Sequence, residues 1–256
     1  MVIAALRDPS STNAESLAQL PKAKESKLII VKIDSTSDND PFEAVIKLQN
    51  EHNINSIDVV IANAAAIGAP PAPVSAASVE GIRQDFQVNA VAPLLLFQAT
   101  WPLLQKSKTP KFVGISTCLA TIGKMDEYPW PTASYGVSKA AMNYFVRKAH
   151  FENEELVAFA VHPGWYVLFS PQKCLQQVDG DRSRVQTDAG NSFAKAQGRD
   201  QAPDTIDDSV NWILEKVRLF VQSVLYIANG CTQVDAATKD RISGTFQFYE
   251  RGEYDW

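Results

Sequence analysis

Lys111-Phe112-Val113-Gly114-Ile115-Ser116-Thr117 is a short apolar run that ends in two hydroxyl side chains. An unbroken apolar run of this length, without polar alternation, is the pattern of a strand covered on both faces. We place a strand over Lys111–Ser116, with similar runs at Val2–Leu6, Leu28–Ile33, Ile57–Ala62 and Leu156–Val161 and a last one at Thr245–Tyr249. Helical periodicity separates them, over Pro41–His52, Val79–Gln105, Thr132–Glu152 and Ile206–Lys216. Apolar strands alternating with helices predict an α/β fold, a doubly wound parallel sheet with helices on both faces. No linker, repeat or low-complexity tract divides the chain, so residues 1–256 read as one domain.

Ligands of such sheets lie beyond the carboxyl ends of the strands. Arg7 follows the first strand, Asp34 the second, and Asn63 ends the third. Ser116 and Thr117 close the fourth, and His162-Pro163-Gly164 follows the fifth. Loops are polar in any case, so no single position decides the matter; five strand ends with compatible chemistry carry more weight. His162 reads as packed at its strand end, with no carboxylate partner visible. Tyr135 and Lys139 stand four residues apart on the helix that follows the fourth strand and share one of its faces. An ammonium beside a phenol favours the phenolate, so the pair reads as a proton donor with its electrostatic tuner.

The formal net charge of -5 argues against a general nucleic-acid binder. Cys118, Cys174 and Cys231 have no paired spacing, which predicts neither a disulfide framework nor a zinc site. The apolar start is too short for a signal peptide, and no stretch reaches transmembrane length. The expectation is a soluble cytoplasmic protein without a membrane partner.

Together these residues resemble the short-chain dehydrogenase/reductase family and its Rossmann-like fold, and within it the fungal group around norsolorinic acid ketoreductase. The matching pieces are Ile61-Ala62-Asn63-Ala64-Ala65, Phe86-Gln87-Val88-Asn89, Ile115-Ser116-Thr117, Tyr135-x-x-x-Lys139, Val161-His162-Pro163-Gly164-Trp165 and Val185-Gln186-Thr187-Asp188. The resemblance implies that Tyr135 protonates a carbonyl oxygen while a nicotinamide delivers hydride to the carbon. It implies that Lys139 lowers the phenol's pKa and binds the nicotinamide ribose, and that Asn89 holds a relay water. Thr117, preceded by Ser116, takes the place of the substrate-steadying serine; its methyl predicts a slower or differently selective site. Asn63 would lie beside the adenosine ribose, Asp34 beside the adenine amino group, and Thr187 on the carboxamide beyond Pro163 and Gly164. Ala65 replaces a glycine, which would push a bound cofactor outward. Arg7, where a carboxylate would select NAD, complements the 2′-phosphate of NADP (NADPH), although Asp8 adjoins it. A ketone or aldehyde substrate, aromatic polyketides included, and a homodimer or homotetramer are further implications.

The chain departs from the family in three places. It opens on the family's second strand, without the first strand and its glycine-rich phosphate turn. The loss of a central strand is expected to expose the edges of two neighbours. It also suggests that Met1 is an internal start, about thirty residues short, the size of one strand–helix unit. Residues 166–184 and 217–233 look inserted, and both are compatible in codon terms with retained fungal introns or with genuine loop insertions. The sequence is therefore compatible with two functions: an NADP-dependent carbonyl reductase, with fungal polyketide secondary metabolism implied by the resemblance, or a catalytically impaired Rossmann-like remnant.

Overall fold

β1 (Val2–Leu6) lies parallel to β2 (Leu28–Lys32), with Val2 opposite Leu28 and Leu6 opposite Lys32. These two strands form a sheet of their own. The second sheet runs in the order β3 (Val59–Ala62), β4 (Lys111–Ile115), β5 (Val157–His162), β6 (Phe246–Phe248) and β7 (Gly252–Tyr254). Pairing is parallel from β3 to β6, and β7 returns antiparallel. This computed structural model describes residues 1–20, 24–163, 213, 243–248 and 252–254. Of the helix expected at Ile206–Lys216 only Ile213 is described, and it is helical. Residues 166–184 and 217–233 lie outside the described residues.

The helices join what the strands leave apart. α2 (Asp40–His52) packs on β2, and α4 (Ala92–Leu104) packs on β3 and on α2. Val45 of α2 meets Ala99 and Leu103 of α4 in a small core. The free edges of β1 and β3 have no strand partner among the described residues. Val2 and Ile61 are exposed along them, as the sequence led us to expect of two neighbours without a strand between them.

All six residues of β5 are buried. Phe112, Ala158 and Ala160 face α5 (Ala133–Glu152) and its Met142 and Val146, while Val113, Phe159 and Val161 fill the opposite face. Period-two alternation of two apolar sets is what a doubly covered sheet requires.

The expected helix Val79–Gln105 is three elements: α3 (Val79–Phe86), a π-turn at Gln87–Val91, and α4. Pro93 explains the break. In an α-helix its ring would collide with the carbonyl four residues back, at Asn89. The wider turn relieves this, and Ala92 N–H donates to Gln87 O, five residues back. The sequence reading also missed α1 (Thr12–Gln19), an eight-residue helix with only Ala14 in the core, too little periodicity to register. It missed β7 as well, which is short and contains glycine and glutamate.

Candidate active site

Beyond Ile115 the chain turns at once into a short 3-10 turn, Cys118–Ala120, capped by Thr117, whose Oγ1 accepts from Leu119 N–H at 3.3 Å. α5 crosses this turn closely. A β-carbon on Gly136 would stand 2.9 Å from the Leu119 carbonyl oxygen, so a glycine beside Tyr135 is what lets the helix approach. One turn further on, Lys139 is 1% exposed and donates from Nζ to the Ile115 carbonyl at 2.7 Å. Thr117, Tyr135 and Lys139 are thereby gathered at the tip of β4.

The electrostatics differ from the sequence expectation. Burial lowers the Lys139 ammonium to about 8. The Tyr135 phenol is pushed up, first by burial and then by the electrostatic influence of the neighbouring Cys118 and Asp85. Lys139 does not reverse this, because its ammonium is turned to the Ile115 carbonyl and burial of the phenol outweighs its influence. The phenol therefore stays in the protonated form, the form able to donate.

Ser116 and Thr117 separate clearly. Ser116 Oγ donates to Asn143 Oδ1 at 2.6 Å, inside the core. Thr117 accepts from Leu119 N–H, a bond that leaves its own hydroxyl hydrogen for another acceptor. Asn89 is fully buried: its Oδ1 accepts from Ala66 N–H at 2.8 Å, and its Nδ2 donates to Ala66 O at 2.8 Å and Ser138 Oγ at 3.0 Å. Its amide thus fastens the loop after β3 to α5.

The nucleotide-binding candidates sit at the tips of the other strands. Arg7 is exposed beyond β1 and makes no ion pair among the described residues. It stands near Asp34, whose carboxyl is held down chiefly by Thr36, through its N–H at 2.8 Å and hydroxyl at 2.7 Å, and less by Arg7. Asn63 is exposed beyond β3, and Pro163 is partly buried after β5. Gly164 and Thr187 lie outside the described residues. His162 is buried within β5, opposite Phe248.

Three acids and hydroxyls escaped the sequence reading. Asp40 accepts from Asp34 N–H at 2.9 Å and Ser37 Oγ at 2.7 Å and pairs with Lys32 at 3.1 Å, so it braces the loop between β2 and α2. Asp85 and Ser134 share a buried hydrogen bond. The signal was available: Asp85 and Asn89 repeat at the same four-residue interval as Ser134 and Ser138.

Comparison with known proteins identifies the family and the fold. The family model for short chain dehydrogenase matches residues 2–166. Norsolorinic acid ketoreductase of Dothistroma septosporum is 39% identical over 254 residues, 98% of this chain and 81% of the relative. The norsolorinic acid ketoreductase of Aspergillus parasiticus is 39% identical over 253 residues, 98% of this chain and 79% of the relative. In fold, the NADPH-bound carbonyl reductase from chicken fatty liver superposes with a TM-score of 0.73 at 22% identity, covering 99% of this chain and 87% of that one. A strand-tip tyrosine and lysine on a Rossmann-like sheet, with a family match over more than half the sequence, make the chain a member of the short-chain dehydrogenase family of oxidoreductases.

Proposed function

We propose that the chain is an NADPH-dependent carbonyl reductase whose substrate is a ketone of aromatic polyketide type. The observation that carries this reading is the convergence of Thr117, Tyr135 and Lys139 at one strand tip. Thr117 and Tyr135 hydroxyls donate to the carbonyl oxygen. Tyr135 passes its proton there as the oxygen gains charge, and the Lys139 ammonium stabilises the phenolate left behind. Asn89 holds the helix and loop in place and supports the relay of a replacement proton. NADPH would supply the hydride.

The donor set suits that cofactor. Exposed Arg7 offers a cation for a 2′-phosphate, Asp34 and Asn63 stand where the adenosine end would lie, and Lys139 and Pro163 stand where the nicotinamide end would lie. The chicken enzyme bound NADPH, which supports the same choice. The names of the two fungal relatives support a ketone and a place in secondary metabolism. Exposed Ile67 and Val74 lie between β3 and α3, and exposed Ile122 and Met125 lie between β4 and α5, apolar surface that suits an aromatic substrate. Val137, Tyr144 and Phe151 are exposed at seven-residue spacing along α5, which suits pairing with a second copy. No described helix is long and apolar enough to cross a membrane, and we assign the chain to the cytoplasm.

The divided sheet favours a second reading, an impaired remnant, because the gap adjoins the nucleotide-binding candidates. Titration of the purified chain with NADPH, followed by cofactor fluorescence, separates the two. Saturable binding together with NADPH oxidation by an aromatic ketone is expected of the reductase. Absence of binding would leave the remnant.

A further inference from the structure

Asp85 is a fully buried carboxylate that the proposed chemistry does not use. One oxygen accepts from Gly68 N–H at 2.5 Å and the other from Ser134 Oγ at 2.5 Å. Gly68 lies in the loop that follows β3, and Ser134 lies in the first turn of α5, directly before Tyr135. Four residues on from Asp85, Asn89 repeats the pattern, holding Ala66 of the same loop and Ser138 of the same helix. Ser138 Oγ in turn donates to the Tyr135 carbonyl at 2.8 Å. Two rungs, Asp85–Ser134 and Asn89–Ser138, therefore tie α3 and its π-turn to α5 with the loop clasped between.

The loop is shaped to receive this clasp. A β-carbon on Gly68 would stand 3.1 Å from Asp85 Oδ1 and 3.2 Å from Gln84 Oε1, so a side chain there would press on the carboxylate. On the facing side, a β-carbon on Gly81 of α3 would stand 2.3 Å from that of Ala69. The same loop pairs at Ala72 with Thr132, the residue that caps α5. A carboxylate in this position also carries a cost, since its charge opposes the phenolate of Tyr135.

We infer that Asp85 is a positioning residue, fixing through Ser134 and Gly68 the turn that presents Tyr135 and the loop that borders it. The inference rests on the reductase reading for its effect on turnover but not for the clasp itself. Asp85→Ala should lower kcat by about ten- to a hundredfold, with the KM for NADPH within about threefold, because misplacing a reacting group weakens the chemical step more than binding. Asp85→Asn should recover most of that loss: its oxygen can accept from Gly68 while its amide donates to Ser134. Asp85→Ala/Ser134→Ala should be little worse than Asp85→Ala, as groups acting in one unit are not additive.

Amide hydrogen exchange at Gly68 and residues 134–136 reads the clasp without turnover, and the Asp85→Ala rates should rise about tenfold or more. Should Asp85→Ala not fold, Ser134→Ala cuts one arm alone and is held to the same kcat and exchange criteria. Unchanged exchange and a kcat equal to the parent's in folded protein would overturn the inference. If the parent chain proves inactive the reductase reading fails, and exchange alone decides the clasp: faster exchange supports it, and parental rates refute it.

Discussion

The two sheets are built from similar apolar runs and have different surroundings. β4 and β5 are buried on both faces, under α5 on one side. β1 and β2 keep a single small core, Val31 with Ala44 and Leu48 of α2, and β1 is half-exposed along its length. Thr117, Tyr135 and Lys139 stand on the sealed sheet, and Arg7 and Asp34 on the open one. The comparison teaches that the proposed proton-donating half of the site is held by packing. The proposed nucleotide half is held by short-range polar bonds such as those of Asp40 and Asp34, beside the division of the sheet between β1 and β3. The two halves should therefore fail separately.

Truncation in each core gives the widest contrast. Phe159→Ala, in the sealed sheet, should cost about 3–5 kcal/mol in denaturant unfolding, whereas Ile29→Ala, in the open sheet, should cost about 1–2 kcal/mol because it empties a partly solvated space. Equal losses would remove the distinction. Alkaline pH acts on the sealed half. Lys139 and Lys111 are both lowered to about 8 by burial, so the unfolded chain holds their protons to higher pH than the folded one. Stability should then rise from about pH 8 to about 10.5, while kcat/KM falls about tenfold per pH unit above 8 as the Lys139 charge is lost. Parallel pH profiles of melting and turnover check this; a joint decline would contradict the assignment.

Arg7→Ala tests the open half. It should weaken NADPH about tenfold, leave NADH unchanged and spare the melting temperature. The smallest effect is at acid pH. The Asp40 carboxyl is lowered to about 2, first by Ser37, then by the Asp34 N–H and Lys32. Its contribution is complete above the ordinary carboxylate range and is lost as pH falls through 2. Asp40→Asn should flatten that limb of the stability profile and leave the alkaline one untouched.

Sequence reading reached β4 and β5 of the sealed sheet because apolar runs such as Phe112–Ile115 and Val157–Val161 leave little choice of element. It proposed Tyr135, Lys139 and Thr117 because a family motif and a strand tip coincide there, and the fold brings these three residues to the end of β4. It missed the π-turn because Pro93 acts on a carbonyl four residues back, a steric effect invisible to hydrophobic periodicity. It missed Asp85 and Ser134 because their meaning lies in contacts 49 residues apart along the chain. It also expected a lowered phenol, because spacing on a helix does not disclose that Lys139 is turned to a backbone carbonyl.

Turnover of Tyr135→Phe with NADPH and an aromatic ketone tests the central claim most directly. We expect kcat to fall by about a hundred- to ten-thousandfold, the contribution of a placed general acid, with NADPH binding and melting temperature retained. A variant that turns over as fast as its parent would contradict the assignment of the phenol as proton donor, and the reductase account with it.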